Sequence, residues 1–335
     1  CGDTDYATAL VRKRQVVSLT FKRIFLFFCI MVVLETGGML SVSVWKNHQE
    51  AAQAEAESVQ QVSLPLVDHA KRTPRAADEA DLQQQVARIL GTDAGRFSIY
   101  FLRPDQEEEP FLYQPGQMSP ASMIKLFIMA TAMQDVRDGR LSLDEKLTIA
   151  EDDVVGGAGV ITWYNTGDQM TLRRLLSVMI TDSDNTATNI IIDRLGMDRI
   201  NHYAAAHGYK DTSLAHKMMI GNNGWKNYSS VRDIGHLLTR LYYHELVGEQ
   251  EDAFMLSILS RQKDTECFPA ALPEWTIAHK TGEVTGLYDD GGIFYGADGD
   301  FILVIMDEEY IDRQATIESM KELTRYFART LKKRT

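Results

Sequence analysis

Apolar and polar positions divide the chain into three stretches of different texture. From Ile24 to Leu34 no polar side chain occurs, and after Glu35-Thr-Gly-Gly the apolar run resumes as far as Trp45. Taken together, 24–45 is long enough to cross a bilayer, although Glu35 near mid-membrane would cost about 2.5–3.5 kcal/mol. Arg12, Lys13, Arg14, Lys22 and Arg23 precede it. This order predicts a short basic cytoplasmic tail (1–23), a transmembrane signal anchor (24–45) and export of everything beyond. A cleaved signal peptide is the alternative, but no clear small-residue cleavage site follows. Residues 46–80, rich in Gln, Ala and Glu and broken by Pro65 and Pro74, read as a stalk.

The third stretch, 81–335, alternates helical and strand periods. Leu82–Leu90 has one apolar face, Phe97–Leu102 alternates as a strand, and Phe111–Gln114 can return as its hairpin partner. Helical segments follow at 120–138, 171–182, 185–195, 198–207, 230–246 and 251–262, several of them ending at glycine. Strand-like runs then occupy Trp275–Thr281, Gly291–Tyr295 and Phe301–Met306, and a helix over 316–332 closes the chain. The order predicts an α+β fold. Its five-stranded antiparallel sheet is flanked by N- and C-terminal helices, with an all-helical subdomain inserted between strands 2 and 3.

Charge sharpens the picture. The 335 residues carry a net charge of −12, with 44% apolar and 24% charged positions. The first 23 residues are net +3, so the remainder is net −15. A phosphate-tracking protein needs a basic face, so nucleic-acid binding is excluded as an expectation. The three cysteines, Cys1, Cys29 and Cys267, form no CxxC pair, and the eight histidines have no ligand spacing, so neither metal nor cofactor is expected. Cys1 at the first position reads as a fragment start, with a lipidated Cys as the alternative.

Three short motifs carry chemistry. In Ser122-Met-Ile-Lys125, Ser119 reads as an N-cap and Pro120 as the first helical residue. Ser122 then meets free backbone N–H groups at a helix start, and Lys125 lies on the same face one turn on. A lysine acts as a base only when neutral, and a second buried cation such as Lys280 would favour that state. Ser183-Asp184-Asn185 lies at a junction between helices, where it can cap the next helix, present a hydroxyl and an amide to a cleft, or do both. Lys280-Thr281-Gly282 ends a predicted strand, and Gly282 would let a ligand backbone lie against the strand edge. The order Ser-x-x-Lys, Ser-Asp-Asn, Lys-Thr-Gly is that of active-site-serine β-lactamases and penicillin-binding proteins.

Residues from about 85 to 335 resemble class A β-lactamases and related serine hydrolases. The likeness extends through Met170-Thr-Leu-Arg-Arg-Leu-Leu-Ser-Val-Met-Ile-Thr-Asp-Ser-Asp-Asn-Thr-Ala-Thr-Asn189. The resemblance implies that Ser122 is the acylated nucleophile and Lys125 its proton acceptor. Ser183 would pass the proton to the leaving nitrogen, and Asn185 would hold the substrate's side-chain amide. Lys280 and Thr281 would bind the substrate carboxylate, and the N–H groups of Ser122 and Glu283, next to Gly282, would form the oxyanion hole.

The resemblance breaks at one catalytic position. Class A enzymes carry a glutamate after the Ser-Asp-Asn motif, in an ExxLN pattern, that activates the deacylating water. Here no Glu occurs between 185 and 244, and matching the loop from Thr212 puts Met218 at that position and Asn222 at the asparagine. Asp211, Asp233 and His216 are the nearby substitutes. No Arg or Lys occurs between 281 and 312 either, where some relatives keep a carboxylate anchor. The leading expectation is a monomeric serine hydrolase opening β-lactam amides through an acyl-enzyme, with a non-standard deacylation route. A penicillin-binding-type peptidoglycan DD-peptidase is the second. A non-catalytic membrane-anchored sensor of β-lactams or cell-wall peptide is the third.

Overall fold

The central strand shows why the sheet forms where it does. The computed structural model describes residues 79–106, 109–221, 224 and 226–331. The predicted tail, membrane anchor and stalk lie outside the described residues, and no described helix is long and apolar enough to cross a membrane. Phe301–Asp307 (β7) is buried along its whole length, as expected of an unbroken apolar run covered on both faces. Around it the sheet runs β2 (Phe111–Tyr113), β1 (Phe97–Leu102), β7, β6 (Leu287–Tyr295) and β5 (Thr276–Val284), with antiparallel neighbours throughout.

Alternation along β7 separates two cores. Phe301, Leu303 and Ile305 join Leu82, Val86 and Leu90 of α1 (Glu79–Leu90) and Met320, Leu323 and Phe327 of α9 (Arg313–Leu331). Ile302, Val304 and Met306 face the helical layer. Cutting Leu323 back to Ala would cost about 2–5 kcal/mol at such a site.

The helical layer holds α2 (Lys125–Arg137), α3 (Leu172–Thr181), α4 (Asn185–Leu195), α5 (Met197–Ala206), α6 (Val231–Tyr242) and α7 (Glu249–Leu259). A single turn, α8 (Phe268–Ala271), leads back to the sheet. Thr171, Asp184 and Ser230 cap α3, α4 and α6 by accepting the N–H groups of Arg174, Ala187 and Asp233. Each such cap is worth about 1 kcal/mol.

The α+β expectation holds, with three local corrections. The insert is not purely helical, because β3 (Lys146–Thr148) and β4 (Gln169–Thr171) form a short antiparallel ribbon. The segment expected as one helix from residue 120 begins instead as a 3₁₀ turn, Ala121–Ile124, and becomes α-helical at Lys125. Ser119 is not the cap there: the turn starts after Pro120, which offers no side-chain cap, and the Ser119 N–H donates to Glu308 Oε1 at 2.8 Å. Finally, β5 continues through Val284, so Lys280-Thr281-Gly282 lies inside a strand and not at its end.

Candidate active site

Ser122 sits on a backbone that the sheet edge holds in place. Ala121, just before it, has φ +39°, a left-handed conformation that non-glycine residues adopt only when their surroundings enforce it. The enforcing neighbour is β5. A Cβ on Gly282 would lie 2.8 Å from the Pro120 carbonyl oxygen and 3.2 Å from the Ser122 nitrogen. Gly282 is therefore required by the nucleophile turn itself, and not only by a ligand against the strand as the sequence suggested.

Lys125 is fully buried one turn beyond Ser122. Its Nζ lies 2.6 Å from the Ser183 carbonyl oxygen, 3.1 Å from Ser183 Oγ and 2.9 Å from Asn185 Oδ1. Lys280, equally buried, donates to Ser183 Oγ at 3.1 Å and to the Thr281 carbonyl at 2.9 Å. One hydroxyl thus stands between two amines. Burial, reinforced by the charge of Lys280, drives the Lys125 pKa well below the usual lysine range, against the pull of Asp184. Burial lowers Lys280 to about 8, with Asp264 and Asp290 resisting. The ordering favours a neutral Lys125 beside a charged Lys280.

Ser183 is strained into the left-handed region, at φ +53°. Asp184, buried next to it, caps α4 and also accepts the N–H groups of Val160 and Ile161 at 2.6 and 2.8 Å. Asn185 donates from Nδ2 to the Gly156 carbonyl at 3.1 Å. The Ser-Asp-Asn loop is both a helix cap and one side of the site, and it ties the 156–161 segment to that site.

Two cavities meet at Ser122. The larger, about 840 Å³, is lined by Ser122, Asn185, His216, Met218 and Glu283 among others. The smaller, about 360 Å³, is lined by Ser122, Ser183, Thr281 and Glu283 among others. All the sequence-predicted residues gather here: Ser122, Asn185, Ser183, Thr281 and Glu283 line the cavities, and Lys125, Lys280 and Gly282 lie directly behind them. Glu283 is bound by Arg313, whose Nε donates to it at 2.6 Å, so Arg313 stands at the strand that carries the motif. Among the described residues no three His, Cys, Asp or Glu side chains converge as metal ligands.

The sequence reading missed two asparagine clamps. Asn189 accepts the Met218 N–H at 2.8 Å and donates to the Met218 carbonyl at 3.0 Å. Asn227 does the same for His216, at 3.1 Å in each direction. The signal was present in Asn189, a buried amide beside three isoleucines. The clamps hold the backbones of His216 and Met218; Ser213 and Tyr228, on either side of them in the chain, exchange backbone hydrogen bonds of 3.0 Å. Met218 and His216 line the larger cavity, whereas Asp211 and Asp233 line neither. His216 Nδ1 lies 2.8 Å from the Lys217 carbonyl, which assigns the proton to Nδ1 and leaves Nε2 as an acceptor. Asn222 lies outside the described residues.

A serine on an enforced turn, with two buried lysines sharing a second serine hydroxyl, defines a serine hydrolase of the β-lactamase and penicillin-binding kind. The chain belongs to the beta-lactamase enzyme family, whose model matches residues 81–329. It is 21% identical over 224 residues to the β-lactamase VEB-1 of Pseudomonas aeruginosa, covering 62% of this chain and 73% of that one. It is 23% identical over 192 residues to the D-alanyl-D-alanine carboxypeptidase DacF of Bacillus subtilis, covering 54% and 45%. Among solved structures, PBP-A superposes with a TM-score of 0.71 at 27% identity, over 79% of this chain and 100% of that one. A single-residue variant of PBP-A, equally similar, was captured as an acyl-enzyme with penicillin G.

Proposed function

We propose that Ser122 opens β-lactam amides by forming an acyl-enzyme, and that its release depends on something other than the usual glutamate. The observation that carries the reading is the position of Ser183 Oγ, 3.1 Å from both Lys125 Nζ and Lys280 Nζ. With Lys280 charged and donating, Ser183 can direct its own proton to the lone pair of a neutral Lys125. In the reaction, Ser122 Oγ bonds to the lactam carbonyl carbon while its proton passes to Lys125. Ser183 then delivers its proton to the ring nitrogen as the C–N bond breaks and takes back from Lys125 the proton that came from Ser122, which leaves both groups as they began. The backbone N–H groups of Ser122 and Glu283 hold the oxyanion, Asn185 takes the side-chain amide, and Lys280 and Thr281 face the substrate carboxylate.

Met218 bears on the second half-reaction. A thioether is a poor proton acceptor, so water attack on the ester has no carboxylate base at that position. The free Nε2 of His216, in the same cavity, is the acceptor left on that wall. The DD-peptidase reading is favoured by the same Met218 and by the likeness to DacF, and it predicts release of D-alanine from a stem-peptide mimic. For location, the basic cluster before the apolar run supports anchoring by residues 24–45 with the hydrolase domain outside the membrane. Retention of the chain in alkali-washed membranes tests that placement.

The deciding experiment incubates the full chain with a chromogenic cephalosporin and follows colour and intact mass beside a Ser122→Ala control. Repeated turnover lost in the control establishes a β-lactamase. A single mass increase on Ser122 without turnover favours the penicillin-binding or sensor reading. No reaction on Ser122 removes the β-lactam readings and sends the search to other amide or ester substrates.

A further inference from the structure

Two exposed aromatic rings stand where the chain has no basic residue. From Leu147 to Leu172 there is no Lys, Arg or His, and Glu151, Asp152, Asp153 and Asp168 give the segment a charge of −4. Trp163 and Tyr164 lie within it, 64% and 77% exposed. Their rings stack on one another, with centroids 3.7 Å apart and planes at 28°. A single exposed apolar side chain is ordinary, but two large rings held together in solvent mark a surface that a partner covers.

The local backbone is built to present the rings. Trp163–Asn165 is one 3₁₀ turn. The Thr162 N–H donates to Asn165 Oδ1 at 3.0 Å, and Asn165 Nδ2 donates to Asp168 Oδ2 at 3.3 Å. On the other side of the turn Ile161 is buried, and the N–H groups of Val160 and Ile161 are held by Asp184. The turn is ordered before anything binds, which lowers the entropic cost of docking. Neither ring lines the cavities at Ser122, so this surface is separate from the substrate cleft.

Strand pairing brings the acidic turn to the same place. The Ile149 N–H donates to the Asp168 carbonyl and the Ile149 carbonyl accepts the Gly167 N–H, both at 2.9 Å. The Glu151–Asp153 turn therefore leaves, and the Trp163–Asn165 turn enters, the same end of the β3–β4 ribbon. Basic residues stand elsewhere. Lys146 and Arg173 flank the opposite end, where Arg173 pairs with Asp144. Helix α4, packed against the Glu151–Asp153 turn, carries Asp193 and Arg194, which are bound to Lys217 and Glu145. Asp153 accepts the Ala150 N–H and Asp168 the Asn165 amide, and neither neutral donor cancels the carboxylate charge.

Carboxylates beside the faces of Trp and Tyr favour a cation. A guanidinium gains most, because it stacks on an aromatic face and meets negative charge at once. We propose that this end of the β3–β4 ribbon docks a basic, arginine-bearing segment of a partner protein, with Trp163 and Tyr164 as the anchor and the Glu151–Asp153 turn as the complementary charge.

Fluorescein-labelled hexa-arginine, hexa-lysine and hexa-glutamate peptides, titrated into the full chain at about 0.15 M ionic strength and followed by anisotropy, test it. Hexa-arginine is expected to bind at least threefold tighter than hexa-lysine, and hexa-glutamate not to bind. The double variant Trp163→Ala/Tyr164→Ala is expected to weaken hexa-arginine at least tenfold, and Glu151→Gln/Asp152→Asn at least threefold, each with its urea midpoint unchanged. Undiminished binding to the ring variant would mean that the acidic surface as a whole holds the peptide, and would overturn the proposal, as would no binding to the wild type. Equal affinities for hexa-arginine and hexa-lysine would overturn the role of the rings. Displacement of the peptide by phosphatidylcholine vesicles would overturn the protein partner, since the rings would then take a lipid head group.

Discussion

On one side of the cleft stand Lys125, Ser183 and Lys280, three polar groups within hydrogen-bond reach, the two lysines buried and the serine facing the cleft. On the other stand Met218, Met219 and Ile220, with the backbones of Met218 and His216 tied to Asn189 and Asn227, offering thioethers and a branched alkyl group. Opposite chemistry on the two walls separates two tasks. The polar wall can form an ester at Ser122, and the apolar wall can seat what is attached without helping water remove it.

The largest expected effect comes from breaking the polar wall. Lys125→Gln keeps an amide in the place of the amine but removes the base, and acylation measured by mass should fall about 10²–10⁴-fold. A loss of less than threefold would mean that Ser122 is activated elsewhere. Next comes converting the apolar wall. Met218→Glu places a carboxylate on the residue that Asn189 fixes, and the adduct's release rate should rise at least tenfold while its formation changes little. If formation slows as much as release quickens, the two walls are not separable.

pH resolves the two lysines within the polar wall. Acylation needs Lys125 unprotonated and Lys280 protonated, so the rate should fall on acidification through the depressed Lys125 pKa. It should fall again on alkalinisation through about 8, where Lys280 loses its proton. Lys280→Arg keeps the charge at any working pH, and should erase the alkaline limb while leaving the acid limb in place. A bell unchanged in that variant would assign the limb to another group.

The smallest effect concerns the floor beneath. Asp289 is fully buried with Oδ2 unpartnered, while Oδ1 accepts the Asp307 N–H at 3.1 Å. Burial, then the neighbouring Asp307, raises the Asp289 pKa well above the carboxylate range, and burial lifts Asp307 to about 6. A carboxyl whose folded pKa is raised contributes its full stability below the unfolded value near 4, and loses it as pH rises through the folded value. Asp289→Asn should therefore change little at pH 4 and stabilise by at least about 1 kcal/mol at pH 8, read as the shift in urea midpoint. An equal shift at both pH values would point to packing instead of charge.

The elements that were legible in sequence are those whose pattern repeats. The alternation of Phe97–Leu102, the apolar run of β7 and the Gly196 ending of α4 each specify their element locally. The β3–β4 ribbon was not legible, because Lys146–Thr148 and Gln169–Thr171 are too short and too polar to show a period. The start of α2 was misread for a different reason. Ser119-Pro120 is an ordinary helix opening, but the close approach of Gly282, distant in sequence, enforces a left-handed Ala121 and a 3₁₀ turn that starts after Pro120. At the site, motif spacing brought Ser122, Lys125, Ser183, Asn185, Lys280 and Thr281 into view. It could not show that Asn189 and Asn227 hold a loop by its backbone, because such a clamp depends on which carbonyl lies opposite.

The close approach of Gly282 to Pro120 and Ser122 also orders events during synthesis. The nucleophile turn lies in the first half of the chain and the strand that enforces it is among the last elements to be made. A nascent chain that has folded α2 alone has no reason to keep Ala121 left-handed or Ser122 aimed at a substrate. Reactivity should therefore switch on late and all at once, when β5 docks between β6 and the 3₁₀ turn.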